Sequence, residues 1–100
     1  INYGGTTTVV NNEIIVPETG DYTLEWSAPT STANTANTAR VTNQLGTVLA
    51  SKTTPATAGS QVVTLTKGDS LKLELAVTNV SAVARRTVTT AAIFRITPVL

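Results

Sequence analysis

Residues 71 to 77 read Leu-Lys-Leu-Glu-Leu-Ala-Val. Leu71, Leu73, Leu75 and Val77 alternate with Lys72, Glu74 and Ala76, and only an extended strand puts every second side chain on one face. A helix would scatter these leucines around its circumference, so this stretch commits the chain to a half-buried sheet. A second stretch, Asp21-Tyr-Thr-Leu-Glu-Trp-Ser27, repeats the pattern, with Tyr22, Leu24 and Trp26 on one face and Thr23, Glu25 and Ser27 on the other. No sustained helical periodicity occurs anywhere in the chain.

Turn residues divide the remainder into short segments. Asn11-Asn12, Pro17 to Gly20, Asn43 to Gly46, the stretch from Thr53 to Ser60 with Pro55 and Gly59, and Thr66 to Asp69 all interrupt apolar runs. Gly68 stands where a tight turn needs a positive φ. The spacing predicts about eight strands, over 6–10, 13–16, 21–27, 38–43, 46–51, 60–66, 69–79 and 88–97. Short strands with this punctuation point to an all-β, antiparallel β-sandwich, either a jelly roll or an immunoglobulin-like domain. At 100 residues the chain fits one domain, 1–100, with one core.

Composition narrows what such a domain does. Charged residues make up 13% of the chain, well below the roughly 25% of ordinary soluble domains. Seven basic against six acidic residues give a net charge of +1, which offers no field to steer nucleic acid or an anionic membrane. With no His and no Cys, the usual general base, the common zinc ligands and any disulfide are missing. Glu18 and Asp21 flank one turn, with Glu13 and Glu25 nearby, but they read as solvated charges rather than as a carboxylate pair across a cleft. They also lack the dense acidic spacing of a calcium loop. No glycine-rich phosphate loop is present. Tyr22, Trp26 and Phe94 occupy inward registers and leave Tyr3 alone, which is too few aromatics for a stacking platform. The chain is therefore expected to be neither an enzyme nor a cofactor, metal or nucleic-acid binder, and it has no apolar run long enough to insert into a membrane as a helix.

Three segments remain as candidate contact sites. Residues 31–40, Ser-Thr-Ala-Asn-Thr-Ala-Asn-Thr-Ala-Arg, repeat Thr-Ala-Asn. They read either as a long polar loop or as a ligand-reading or glycan-bearing one, with Asn34 and Asn37 as candidate partner-binding residues. Asn79-Val80-Ser81 fits a glycosylation sequon. Arg85 and Arg86 form the one basic doublet, placed within a candidate loop from Ala84 to Thr87; residues 28–38 and 52–60 are the other candidate loops. The last strand differs from the others. Thr90, Ala92, Phe94 and Ile96 line one face and Ala91, Ile93 and Arg95 the other, so both faces carry apolar residues. Such a strand is covered on both sides, either within the sandwich or by another subunit. Ala91, Ile93 and Arg95 are the candidate interface. The sequence contains no Met, and Ile1 is expected to follow a missing N-terminal region.

Residues 63–75, Val-Thr-Leu-Thr-Lys-Gly-Asp-Ser-Leu-Lys-Leu-Glu-Leu, resemble the Gly-Asp strand pair near the end of the globular heads of complement and collagen-like proteins. That family shares its jelly roll with tumour necrosis factor. Residues 14–26 are similar to the family's early strand pair, residues 39–51 to its next hairpin and residues 91–100 to its terminal strand. The order holds over roughly residues 13–100. The terminal Phe-x-Gly-x-Leu signature is replaced by Ala-Ala-Ile-Phe-Arg-Ile, and the aromatic richness of the animal heads is missing. The chain most resembles the C-terminal knobs of bacterial spore-surface collagen-like glycoproteins and of phage fibres. The resemblance implies a homotrimeric, non-enzymatic head of a fibrous surface or virion protein, acting in trimerisation and in attachment to a surface receptor or glycan. It further implies a place outside the cell or on a particle surface, such as a spore coat or virion. The alternative is a monomeric carbohydrate-binding or immunoglobulin-like module of a larger secreted protein.

Overall fold

The computed structural model describes residues 1–5, 8–27, 36–53, 58–78, 83–88 and 93–99. Among them run nine strands and no helix: β1 (Val9–Val10), β2 (Glu13–Ile15), β3 (Gly20–Ser27), β4 (Ala36–Thr42), β5 (Val48–Thr53), β6 (Ala58–Leu65), β7 (Ser70–Thr78), β8 (Val83–Thr87) and β9 (Ile93–Pro98). They form two antiparallel sheets. The larger runs β1-β2-β7-β4-β5, with β8 also on β7, and the smaller runs β6-β3-β9. Strand β4 takes one edge of β7 from Lys72 to Thr78. The other edge is shared: β2 meets Ser70 and Leu71, and β8 meets Glu74 to Thr78. The expected all-β sandwich is what forms. The order β2-β7-β4-β5 over β6-β3-β9 is that of a jelly roll. Beside β9, a single parallel bridge from Asn2 to Ile93 stands where a further strand would lie.

The alternation decides the layering. Leu71, Leu73 and Leu75 of β7 face Tyr22, Leu24 and Trp26 of β3 across the core, joined by Ile14, Val41, Leu65, Phe94 and Ile96, all buried. Each fully buried large apolar side chain contributes about 1.5–3 kcal/mol, so the three β7 leucines anchor the larger sheet. The turn before them closes as expected. Asp69 N–H donates to the Thr66 carbonyl at 3.0 Å, and Gly68 at φ +89° supplies the left-handed third residue that a type II turn requires. Asn11 and Asn12, at φ 51° and 64°, make the two-residue β1–β2 hairpin, since asparagine tolerates the left-handed region.

The smaller sheet solves its packing differently. Trp26 lies opposite Gly59, and a Cβ there would collide with the indole ring at Cζ2. The ring therefore takes the space a side chain on β6 would fill. The indole Nε1 is buried with no hydrogen-bond partner among the described residues.

Three expectations change. Of the strand expected over 88–97, Val88 lies outside any strand, Ile93–Pro98 form β9, and residues 89–92 lie outside the described residues. The stretch Ala84 to Thr87, read as a loop, belongs to β8 and pairs with β7. Residues 36–38, 52–53 and 58–60, placed in candidate loops, are strand ends of β4, β5 and β6. In the latter two cases backbone pairing with a neighbouring strand outweighs local polarity.

Candidate functional site

The two sheets turn very different outer faces to the surroundings. On the larger sheet the outward residues of β4 and β7 form a charged network. Arg40 Nε donates to Glu74 Oε1 at 3.0 Å, Thr42 Oγ1 donates to the same oxygen at 3.4 Å, and Lys72 Nζ stands 3.9 Å from Glu74 Oε2. Glu74 is only 13% exposed and collects all three. Arg40 and Glu74 are direct cross-strand neighbours, as are Thr42 and Lys72, so the antiparallel register itself builds the network.

The smaller sheet carries mostly hydroxyl side chains outside, with a few apolar residues and charges that are bonded within the face. Its outward registers carry Thr23 and Ser27 on β3, Ala58, Ser60, Val62 and Thr64 on β6, and Ile93 and Thr97 on β9. Val62 is 61% exposed and Ile93 38%. The charges among these described residues are Asp21, Glu25 and Arg95, and each has a partner. Arg95 holds Glu25 through two parallel bonds, Nε to Oε1 at 3.0 Å and Nη2 to Oε2 at 2.9 Å. Asp21 Oδ1 accepts from Thr64 Oγ1 at 2.7 Å. The guanidinium beside it holds the Glu25 carboxyl below the ordinary carboxylate range, chiefly through those hydrogen bonds.

Of the residues selected from sequence, Ile93 and Arg95 do share this outer face. Ile93 lies beside Ser27, and Arg95 beside Glu25. Ala91 and Asn34 lie outside the described residues, as does the sequon at 79–81. Asn37 is a strand residue paired with Val77, not a loop residue. Arg85 and Arg86 pair with Ala76 and Leu75 along β8, so they too sit on a strand. Tyr3, expected to stand alone, packs against Phe94 with ring centroids 6.3 Å apart, and burial raises its pKa.

The carboxylates show no shared work. Glu18 lies 4.0 Å from Lys67 at the surface, whereas Asp21 is engaged by Thr64. Among the described residues no group of three or more His, Cys, Asp or Glu side chains gathers to hold a metal. A shallow cleft of about 160 Å³ lies between Ile15, Pro17, Tyr22, Ile96 and Pro98. Gly5 and Thr8 complete its lining, and the Tyr22 hydroxyl donates to the Glu18 carbonyl at 2.6 Å.

One contributor escaped the sequence reading. Val62 belongs to a Val62-Val63 doublet, and in a strand one of two adjacent valines must point outward. Val63 is buried and Val62 is not, so the doublet was the available signal. Compared with protein-family models, with curated proteins and with solved structures, the chain matches none of them.

Proposed function

We propose that this chain is a non-enzymatic head domain that assembles as a homotrimer and displays a binding surface at the end of a fibrous surface or virion protein. The observation that carries the reading is the outer face of the β6-β3-β9 sheet. It exposes Val62 and Ile93 among Ser and Thr, while Asp21, Glu25 and Arg95 are satisfied within the face itself. The Glu25–Arg95 pair and the exposed apolar side chains favour burial against another protein surface, with Asp21, bonded to Thr64 but not to a cation among the described residues, at the solvent-exposed end of the face. The jelly-roll strand order and the sparse charge of the chain agree with the head-domain likeness of residues 63–75. In this reading the partners are two further copies and a surface receptor or glycan outside the cell or on a particle.

The test is the solution mass by light scattering over a dilution series, with Ile93→Asp as the variant. Ile93 is already partly exposed within one chain, so Asp is tolerated in the monomer and costly only where a subunit covers it. A species near three times the 10.4 kDa chain, dissociated by Ile93→Asp with the far-ultraviolet spectrum unchanged, supports the trimer. A folded monomer at every concentration overturns it and turns attention to a monomeric binding module.

A further inference from the structure

Among the described residues, no further strand pairs with the outer edge of the smaller sheet. All eight residues of β6 pair with β3 without a register shift, so the strand is straight and unbroken. It is the outermost strand of its sheet. Alternate residues along it therefore direct N–H and C=O groups away from β3. Its sequence, Ala-Gly-Ser-Gln-Val-Val-Thr-Leu, contains no charge and no proline. The other sheet treats its edges differently. Lys52 of β5 stands opposite buried Ala39, on the inward register of the outermost strand, and is exposed. An inward-pointing charge of this kind blocks the approach of another strand, and β1, at two residues, is too short to template one. Gln61 of β6 also lies on an inward register, but it is neutral and reaches across to the Leu49 carbonyl at 3.2 Å, closing the seam to β5. Among the described residues the backbone of that edge has no strand partner.

From this unguarded edge we infer that β6 is a self-association site, pairing antiparallel with β6 of a second copy about a twofold axis to extend the β9-β3-β6 sheet across two molecules. Charge selects the second copy over a foreign strand. A twofold axis places each residue near its own kind, so a charged edge repels itself, whereas β6 has nothing to repel. Parity fixes the register. Outer face continues into outer face only if the axis passes through a residue pair rather than between residues. Val62 lies near the middle of the strand and is its most exposed large apolar side chain. Val62 therefore meets Val62 of the second copy, flanked on each side by Ser60 against Thr64. A single paired edge buries less surface than a standard stable interface, so the association is concentration-dependent. It uses the β6 edge rather than the Ile93 side of the face; it doubles a chain that is monomeric in dilute solution, whereas a trimer, with three such edges, associates further.

The chain has no cysteine, so single-cysteine variants report the contact without background. Ser60→Cys, Val62→Cys and Thr64→Cys are oxidised at high protein concentration and resolved on a non-reducing gel. Thr23→Cys, on the same outer face but on the central strand, is the control. The expected result is a covalent dimer from Val62→Cys as the main product, several-fold less from Ser60→Cys and Thr64→Cys, and background from Thr23→Cys. Light scattering should show the mass of the native chain doubling with concentration. Val62→Lys should abolish that doubling with the fold intact, while Ile93→Asp leaves it. Equal cross-linking from Thr23→Cys would mean face-to-face contact, and no dimer from any β6 position would mean a closed or unused edge; either overturns the inference.

Discussion

The inner faces of the two sheets are built alike, and their outer faces are not. Inside, both sheets present an alternating row of large apolar residues, Leu71, Leu73 and Leu75 against Leu24, Trp26 and Phe94. Outside, the larger sheet holds a network of opposite charges centred on Glu74 and exposes Val10 and Val48 on its outermost strands, whereas the smaller holds a self-contained Arg95–Glu25 pair, Asp21 bonded to Thr64, exposed Val62 and Ile93, and hydroxyl side chains. The core of a sandwich demands only that every second residue be apolar. What the intervening residues are is free to vary with what each face meets. A charged, internally bonded face is finished in water, whereas a neutral face with protruding apolar residues is suited to a protein partner.

If the inner faces are equivalent, truncating either should cost about the same. Phe94→Ala on the smaller sheet is expected to destabilise by about 3–5 kcal/mol and Leu73→Ala on the larger by about 2–5 kcal/mol. Denaturant titration of both variants checks this. A loss well under 1 kcal/mol at either position would show that the two sheets do not share one core. The outer faces should respond unequally. Glu74→Ala leaves Arg40 and Lys72 facing each other without their common acceptor. It is expected to cost about 1.5–3 kcal/mol, the range for a hydrogen bond to a charged group. Glu25→Ala, on a more exposed pair, should lower the melting temperature by less. The reverse order in a melting series would remove the distinction between a structural charged face and an idle one.

The parts of this architecture that sequence reveals are those set by local periodicity. Residues 21–27 and 69–79 alternate cleanly, and β3 and β7 lie where that alternation puts them. Tyr22, Trp26 and Phe94 are buried as their registers require. Strand β8 was not legible, because Val-Ala-Arg-Arg-Thr has no apolar alternation. It forms because β2 covers only the first part of one β7 edge, and the vacant remainder offers backbone partners. Such a vacancy is a property of the assembled sheet and leaves no trace in five residues. The candidate face was half legible for the same reason. Ile93 and Arg95 follow from period two, but the partner that neutralises Arg95 lies 70 positions away, and only the register of β3 against β9 brings Glu25 to it. For Val62, the doublet signals that one valine faces out, and the register of β6 against β3 decides which.

The smallest expected effect concerns that same pair and depends on pH. Glu25 has a carboxyl pKa below its ordinary value because Arg95 hydrogen-bonds its ionised form. The folded state therefore binds fewer protons than the unfolded state between the two values. The resulting stability is fully present above the unfolded carboxylate pKa of about 4.3 and is lost as pH falls through the lower, folded one. Glu25→Gln has no such group to titrate. The difference in melting temperature between the native chain and this variant should be constant near neutral pH, then shrink as the solution is acidified below the ordinary carboxylate range. High salt should shrink it as well, because both side chains are partly exposed and open to screening. Assembly sharpens this measurement. If a subunit covers the face, the pair is shielded from solvent ions, and its salt dependence should weaken at concentrations where the larger species forms. A salt dependence identical in the dissociated and associated species would place Glu25 and Arg95 outside any interface and would separate the exposed apolar residues of that face from the self-neutralised pair beside them.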